Sequence, residues 1–248
     1  MSGKEIYEEF IKWLRKAPLG IPESEHLRPL IKSYYTPEEA EFLTGIPFSL
    51  KSLEELSHIK GMDPAELGPK LKELSKKGMI YQSIRGESAK YRLGDFLFVF
   101  FRASGWHGQD IEPIKSTAPF INKYFDTYFE QFRHMKKRGL RSIPIDKTIE
   151  HPTEVLPFED VVKIVDDREY YSVSACPCRH RYHLDPDWED CNHPSEVCLH
   201  FDDLGRYCVE NGLGREITRD ETLEILKKAA DSGLVHGITN WEEKPDTI

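Results

Sequence analysis

Residues 36–84 read TPEEAEFLTGIPFSLKSLEELSHIKGMDPAELGPKLKELSKKGMIYQSI, and this stretch decides how the first part of the chain is built. Thr36-Pro-Glu-Glu39 combines a capping threonine, a proline at the first helical position and a glutamate three residues after the cap. Ser52-Leu-Glu-Glu55 repeats the box without proline, and Asp63-Pro-Ala-Glu66 repeats it with one. Each predicts a short helix, and Gly45, Gly61 and Gly78 mark the ends. Gly78-Met-Ile-Tyr-Gln-Ser-Ile84 then reads as a strand. The polar turn Arg85-Gly-Glu-Ser88 leads into a second strand, Lys90-Tyr-Arg-Leu93. Upstream, Ile6, Phe10, Ile11, Trp13 and Leu14 recur at helical spacing over residues 4–16, and Pro18 stops that helix.

Three short helices followed by a β-hairpin make residues 33–95 resemble the winged-helix superfamily, with residues 63–77 in the place of the recognition helix. The resemblance is one of pattern. It implies a DNA-binding face carrying Lys70, Lys72, Lys76, Lys77, Arg85, Lys90 and Arg92. Asp63, Glu66, Glu73 and Glu87 oppose them, and a solvated helix face gives the same mixture. Since a fold does not confer a function, docking or packing is the favoured role for this part.

Charge divides the chain. Residues 1–105 hold 16 Lys and Arg against 15 Asp and Glu, whereas residues 106–248 hold 18 against 28, a net charge of −10. We therefore expect a helical, winged-helix-like domain over residues 1–105 and an α-rich, metal-binding domain over residues 106–248. The expected fold class is mainly α with small β elements (α+β). An acidic chain is a poor general binder of nucleic acid, because Lys and Arg neutralising phosphate supply most non-specific affinity. The 248 residues suit one large or two modest domains, and an aromatic content of 11% argues against disorder. The longest apolar run, Phe96 to Phe101, is far shorter than a bilayer span, so no membrane insertion is expected. MSGKEIYEEFIKWLRK is charged throughout, unlike a secretory signal, and the expected location is cytoplasmic.

From Pro113 to Lys137, Ile114, Phe120, Ile121, Tyr124, Phe125, Tyr128, Phe129, Phe132 and Met135 predict a long amphipathic helix. Its aromatic stripe reads as core in preference to a flavin or partner site. Gly139 ends the helix, Arg141-Ser-Ile-Pro-Ile145 is extended, and Pro157-Phe-Glu-Asp160 opens another helix that closes at Asp166-Asp167-Arg168.

The strand-like run Tyr170-Tyr-Ser-Val-Ser-Ala175 delivers Cys176-Pro-Cys178-Arg179, with Cys191 and Cys198 following in the spacing C-x-C-x12-C-x6-C. Clustered thiols in a chain without an export signal read as metal ligands before disulfides. Two thiolates at i and i+2 can face one centre, with Pro177 fixing the backbone between them. The intervening HRYHLDPDWED reads as a polar, irregular loop, and Asn192, Pro194 and Ser195 mark a turn. Four cysteines suit tetrahedral zinc or an iron–sulfur cluster. The C-x-C spacing falls outside the usual zinc knuckle, which favours a [4Fe–4S] cluster. His180, His183, His193 and His200 keep a mixed Cys/His Zn2+ site open. Cys208 shares a helical face with Phe201 and Leu204 and reads as core. Thr218-Arg-Asp-Glu221 is a capping box for a helix lined by Leu223, Ile225, Leu226 and Ala229. His236 follows its end at Gly233 and reads as a helix-terminal histidine.

Residues 141–240 resemble a family of bacterial and archaeal 4Fe–4S proteins found beside anaerobic oxidoreductases. The resemblance is carried by Arg141-Ser-Ile-Pro-Ile145, Glu154-Val-Leu-Pro-Phe-Glu159 and Ala175-Cys-Pro-Cys-Arg179. It continues through Cys191, Cys198 and Phe201, Gly214-Arg-Glu-Ile-Thr218, Gly233-Leu-Val-His236 and Asn240. It implies that Cys176, Cys178, Cys191 and Cys198 ligate the cluster. Relatives commonly continue into a ferredoxin module with further cysteines, whereas residues 241–248 here, WEEKPDTI, hold none.

No G-x-G-x-x-G, P-loop, G-x-S-x-G or H-E-x-x-H motif occurs. The expected function is therefore electron transfer, as a carrier or oxidoreductase subunit and not as a catalyst. The expected partner is a redox protein with a basic docking surface. The alternatives are a metal- or redox-responsive winged-helix regulator and a structural zinc protein.

Overall fold

The computed structural model describes residues 3–85, 88–133, 140–143, 161–189, 191–239 and 247–248. The chain is mainly helical with small antiparallel sheets and divides into two compact units. Met1–Met135 with Pro177–Cys191 form the first, and Lys136–Cys176 with Asn192–Ile248 form the second. The division expected at residue 105 is not where the units part.

In the first unit, α1 (Gly3–Leu14), α2 (Leu27–Tyr34) and α3 (Pro37–Leu43) precede β1 (Lys51–Ser52), α4 (Leu53–Lys60) and α5 (Pro64–Lys76). Next come β2 (Ile80–Arg85), β3 (Ser88–Leu93), a π-helical segment at Leu97–Arg102 and α6 (Ile114–Arg133). The second unit begins with β4 (Leu140–Ile143), α7 (Val161–Asp166) and β5 (Tyr171–Ala175). The chain returns to the first unit for α8 (Pro177–His183). It then completes the second with β6 (Glu196–Phe201), α9 (Asp202–Glu210), β7 (Arg215–Glu216), α10 (Arg219–Asp231) and β8 (His236–Thr239).

Local chemistry explains the short helices. The Thr36 hydroxyl accepts the Glu39 N–H at 3.2 Å, and the Glu39 carboxylate accepts the Thr36 N–H at 2.9 Å. Ser52 and Glu55 repeat this reciprocal box at the same distances. Each satisfies two N–H groups that a helix start would leave orphaned. Asp63 differs: its carboxylate takes the Ala65 N–H at 2.8 Å, and Pro64 opens α5. The predicted hairpin forms, with Ile80 opposite Leu93, and β1 joins on the far side of β3 to give the order β1-β3-β2. Residues 86 and 87 of the predicted turn lie outside the described residues.

Aromatic packing moves the boundary of the first unit past residue 105. The Phe96 ring lies 4.8 Å from Tyr124 and 4.9 Å from Tyr128, both on α6, so the long helix buries its aromatic face here. Leu97 to Phe101 of the apolar run fall in the π-helical segment, which buries Phe98, Val99 and Phe100. The Tyr124 hydroxyl donates to the Pro22 carbonyl at 2.8 Å, tying α6 back to the segment before α2. Burying each of these large side chains contributes about 1.5–3 kcal/mol. Residues 134–139 and 144–160 lie outside the described residues. The predicted C-terminal end of α6, the start of the helix at Pro157 and the motif Glu154–Glu159 fall there.

In the second unit, α9 and α10 pack on a sheet of order β6-β5-β7, while β4 pairs with β8. Its core gathers Val165, Val173, Leu199, Phe201, Ile217, Leu226, Ile238 and Ile248. Thr247 bridges to His200, and Leu199 and Ile248 exchange backbone hydrogen bonds of 2.9 and 3.1 Å. Phe201 ends β6 and precedes α9, so it does not ride on that helix. Leu204 and Cys208 do, and Cys208 is buried as read. His236 lies in β8, paired with Ile143, and is not helix-terminal.

Candidate metal centre

The polar stretch after Cys178 is not a loop throughout. Pro177 occupies the first position of α8, which runs to His183 with Pro177, His180 and Arg181 buried. Proline suits that position because its missing N–H would have no helical partner. Long side chains then decide the helix. The Arg181 guanidinium lies 4.5 Å from the Phe125 ring centre, and its Nε donates to Asn122 Oδ1 at 2.7 Å. Asn122 Nδ2 in turn donates to Asp185 Oδ2 at 2.7 Å, and Asp185 is only 2% exposed. An amide therefore relays between a buried cation and a buried carboxylate, which spares both the cost of burial without a hydrogen-bond partner.

A second clamp, on Asp110, holds two histidines of α8. His180 Nε2 lies 3.0 Å from Asp110 Oδ1, and His183 Nε2 lies 3.5 Å from Asp110 Oδ2. The hydrogen bond from His180 holds the Asp110 carboxyl below its usual range, with the charges of His180 and His183 acting the same way. Burial lowers the pKa of the neighbouring His107, and His180 adds to the effect. Pro177 also seats directly on Gly105. A Cβ on Gly105 would stand 2.8 Å from Pro177 Cβ and 2.9 Å from its Cα.

The four predicted ligands divide between the units. In the second, Ser174 pairs with Cys198 and Ala175 with Glu196, so Val197 is the extra residue of a bulge. The Cys176 N–H donates to the Ser195 carbonyl at 2.7 Å just beyond it. Cys176 and Cys198 thus stand at the same end of the β5–β6 ladder. Cys178 in α8 and Cys191 after the 184–189 turn belong to the first unit. All five cysteines are thiols; Cys176, Cys178 and Cys198 are partly buried and Cys191 is exposed. Val197, Cys198 and Leu199, which follow the turn read at Asn192, Pro194 and Ser195, lie in the strand Glu196–Phe201.

Four thiols are the right donors for a cubane or for zinc. Among the described residues, no group of three or more His, Cys, Asp and Glu side chains is arranged to hold a metal ion. The histidines considered for a mixed site have other surroundings. His180 and His183 engage Asp110, His193 is exposed, and the buried His200 has its Nδ1 3.4 Å from the Thr247 hydroxyl. Gly105, Asp110, Asn122 and Asp185 escaped the sequence reading. They lie far from the cysteines in sequence or inside a stretch whose polarity suggested a loop.

Comparison with family models, with curated proteins and with solved structures finds no match to the chain. No helix among the described residues is long and apolar enough to cross a membrane.

Proposed function

We propose that the protein binds one [4Fe–4S] cluster through Cys176, Cys178, Cys191 and Cys198 and transfers electrons in the cytoplasm, as a carrier or subunit of an anaerobic oxidoreductase system. The observation that carries this reading is the thiol set itself. Four cysteines occur within residues 176–198, none of them in a disulfide, and Cys176 and Cys198 stand at one end of one ladder. Bound there, a cluster would supply one-electron chemistry. The chain's own contribution is to fix the Cys176-Pro-Cys178 backbone through the Ser195 carbonyl and Gly105.

Anaerobic purification with iron, sulfide and zinc quantification tests the reading, together with electron paramagnetic resonance of the reduced protein. About four irons and four sulfides per chain are expected. Stoichiometric zinc without sulfide would overturn it in favour of a structural zinc protein.

The regulator reading draws on the order α3, β1, α4, α5 and then the hairpin β2–β3, with β1 completing a sheet of order β1-β3-β2, the element order of a winged helix. The basic face is thin. Lys70 Nζ lies over the Phe42 ring at 4.1 Å, Lys77 pairs with Glu39 at 2.7 Å, and Arg92 lies 4.8 Å from the Tyr81 ring centre. A mobility shift of the metal-loaded protein on its promoter DNA at low salt, lost in Lys72→Ala/Lys76→Ala, would favour this alternative.

A further inference from the structure

An acidic surface built around one exposed tryptophan lies in the first unit, on the turn that leads to Cys191. Trp188 is 52% exposed, although its ring packs on Tyr182 at 4.4 Å with an interplanar angle of 30°. The turn beneath it is fixed. Buried Asp185 accepts the Asp187 N–H at 3.1 Å on its carboxylate and the Trp188 N–H at 3.0 Å on its carbonyl. A large aromatic held rigid and left in water is the raw material of a binding hot spot, since little entropy remains to be lost on docking.

Acidic groups outnumber basic ones around it, with the cation Lys123 paired among them. Asp187 has its side chain 71% exposed, Glu189 is exposed, and Lys123 of α6 approaches Asp187 only to 3.9 Å. Asp126 and Glu130, three and seven residues after Lys123, continue that face of α6 and are exposed. Cys191 follows Trp188 by three positions, so their Cα atoms lie within about 11 Å.

We propose that this surface docks a basic redox protein, with a lysine or arginine of the partner over the Trp188 ring and its neighbours against Asp187 and Glu189. The identity of the partner as a redox protein rests on the electron-transfer reading. The complementarity itself does not need a cluster.

The probe is a basic c-type cytochrome, titrated by calorimetry into the anaerobically purified full chain from low to physiological salt. Saturable binding that weakens with salt is expected. Trp188→Ala weakens it by about tenfold and Trp188→Phe restores most of the loss. Asp187→Asn/Glu189→Gln weakens it by about fivefold. Glu9→Gln/Glu25→Gln, the same charge change on exposed residues elsewhere in the first unit, leaves it within about twofold. Near-ultraviolet circular dichroism shows that each variant is folded. Absence of binding by wild-type protein at low salt, or an equal loss in the Glu9/Glu25 variant, would overturn the proposal. Iron and sulfide are counted on the same samples, so absence of a cluster registers separately from absence of docking.

Discussion

Substituting Gly105 by alanine tests how the Cys-Pro-Cys turn is held. Gly105 does not have a left-handed backbone, so only space is at stake. The new methyl would meet Pro177 Cβ at 2.8 Å and Cα at 2.9 Å, whereas carbon atoms pack best at about 3.5–4.0 Å. Neither contact is the tip of a flexible side chain, so the backbone of α8 or of Gly105 must move. Such overpacking costs about 1–3 kcal/mol, offset by about 0.4–1 kcal/mol from the stiffer unfolded chain. The net loss is then between about 0 and 2.6 kcal/mol by urea denaturation, followed by tryptophan fluorescence, to which the buried Trp106 beside Gly105 contributes. Because Pro177 lies between two of the proposed cluster ligands, Cys176 and Cys178, the cluster proposal predicts that iron content falls as well. Gly61→Ala is the control. Its φ of +60° costs about 1–2 kcal/mol of backbone strain, but open space surrounds it and iron content is retained. Pairing Gly105→Ala with Pro177→Gly removes the closest contact, and the two changes are then non-additive. A Gly105→Ala change that is additive with Pro177→Gly would refute the close approach.

Arg181→Ala removes the Asn122 hydrogen bond and the packing on Phe125, lowering stability by about 2–4 kcal/mol in the same denaturation assay. Arg181→Lys recovers little, because an ammonium lacks the planar fork. Cys208→Ala costs about 1 kcal/mol, and the cluster proposal predicts that it leaves iron content unchanged whereas Cys178→Ser loses iron. Burial lowers the His236 pKa, with the Leu226 backbone opposing it. The unfolded chain therefore binds more protons just below pH 6.5 than the folded one does. Stability present above that pH is lost as pH falls, and His236→Gln flattens the slope measured by denaturation between pH 5 and 7.

Much of the first unit was legible because its signals are local. The Thr36 and Ser52 boxes, the hairpin and the aromatic stripe of α6 each depend on residues a few positions apart. The short helix α2 went unread, since its first turn carries no acidic residue and its preceding His26 makes no side-chain cap. The boundary at residue 105 followed the change in net charge. Charge, however, reports what the surface carries, and Phe96 against Tyr124 and Tyr128 decides what is buried together. His236 was misplaced because strand pairing with β4, at a distance in sequence, overrides its proximity to the end of α10.

The cysteine segment divides in the same way. The residues alone determined that four thiols recur as C-x-C-x12-C-x6-C, that the chain around them is acidic, and that Pro177 stiffens the turn. Tertiary structure decided that HRYH belongs to a helix, that Cys198 sits in a strand beside β5, and that an exposed tryptophan precedes Cys191. The reason is physical: His180, Arg181 and Asp185 are polar by composition. They can be buried only because Asp110, Asn122 and Phe125, distant in sequence, supply the hydrogen bonds and the aromatic face that burial requires.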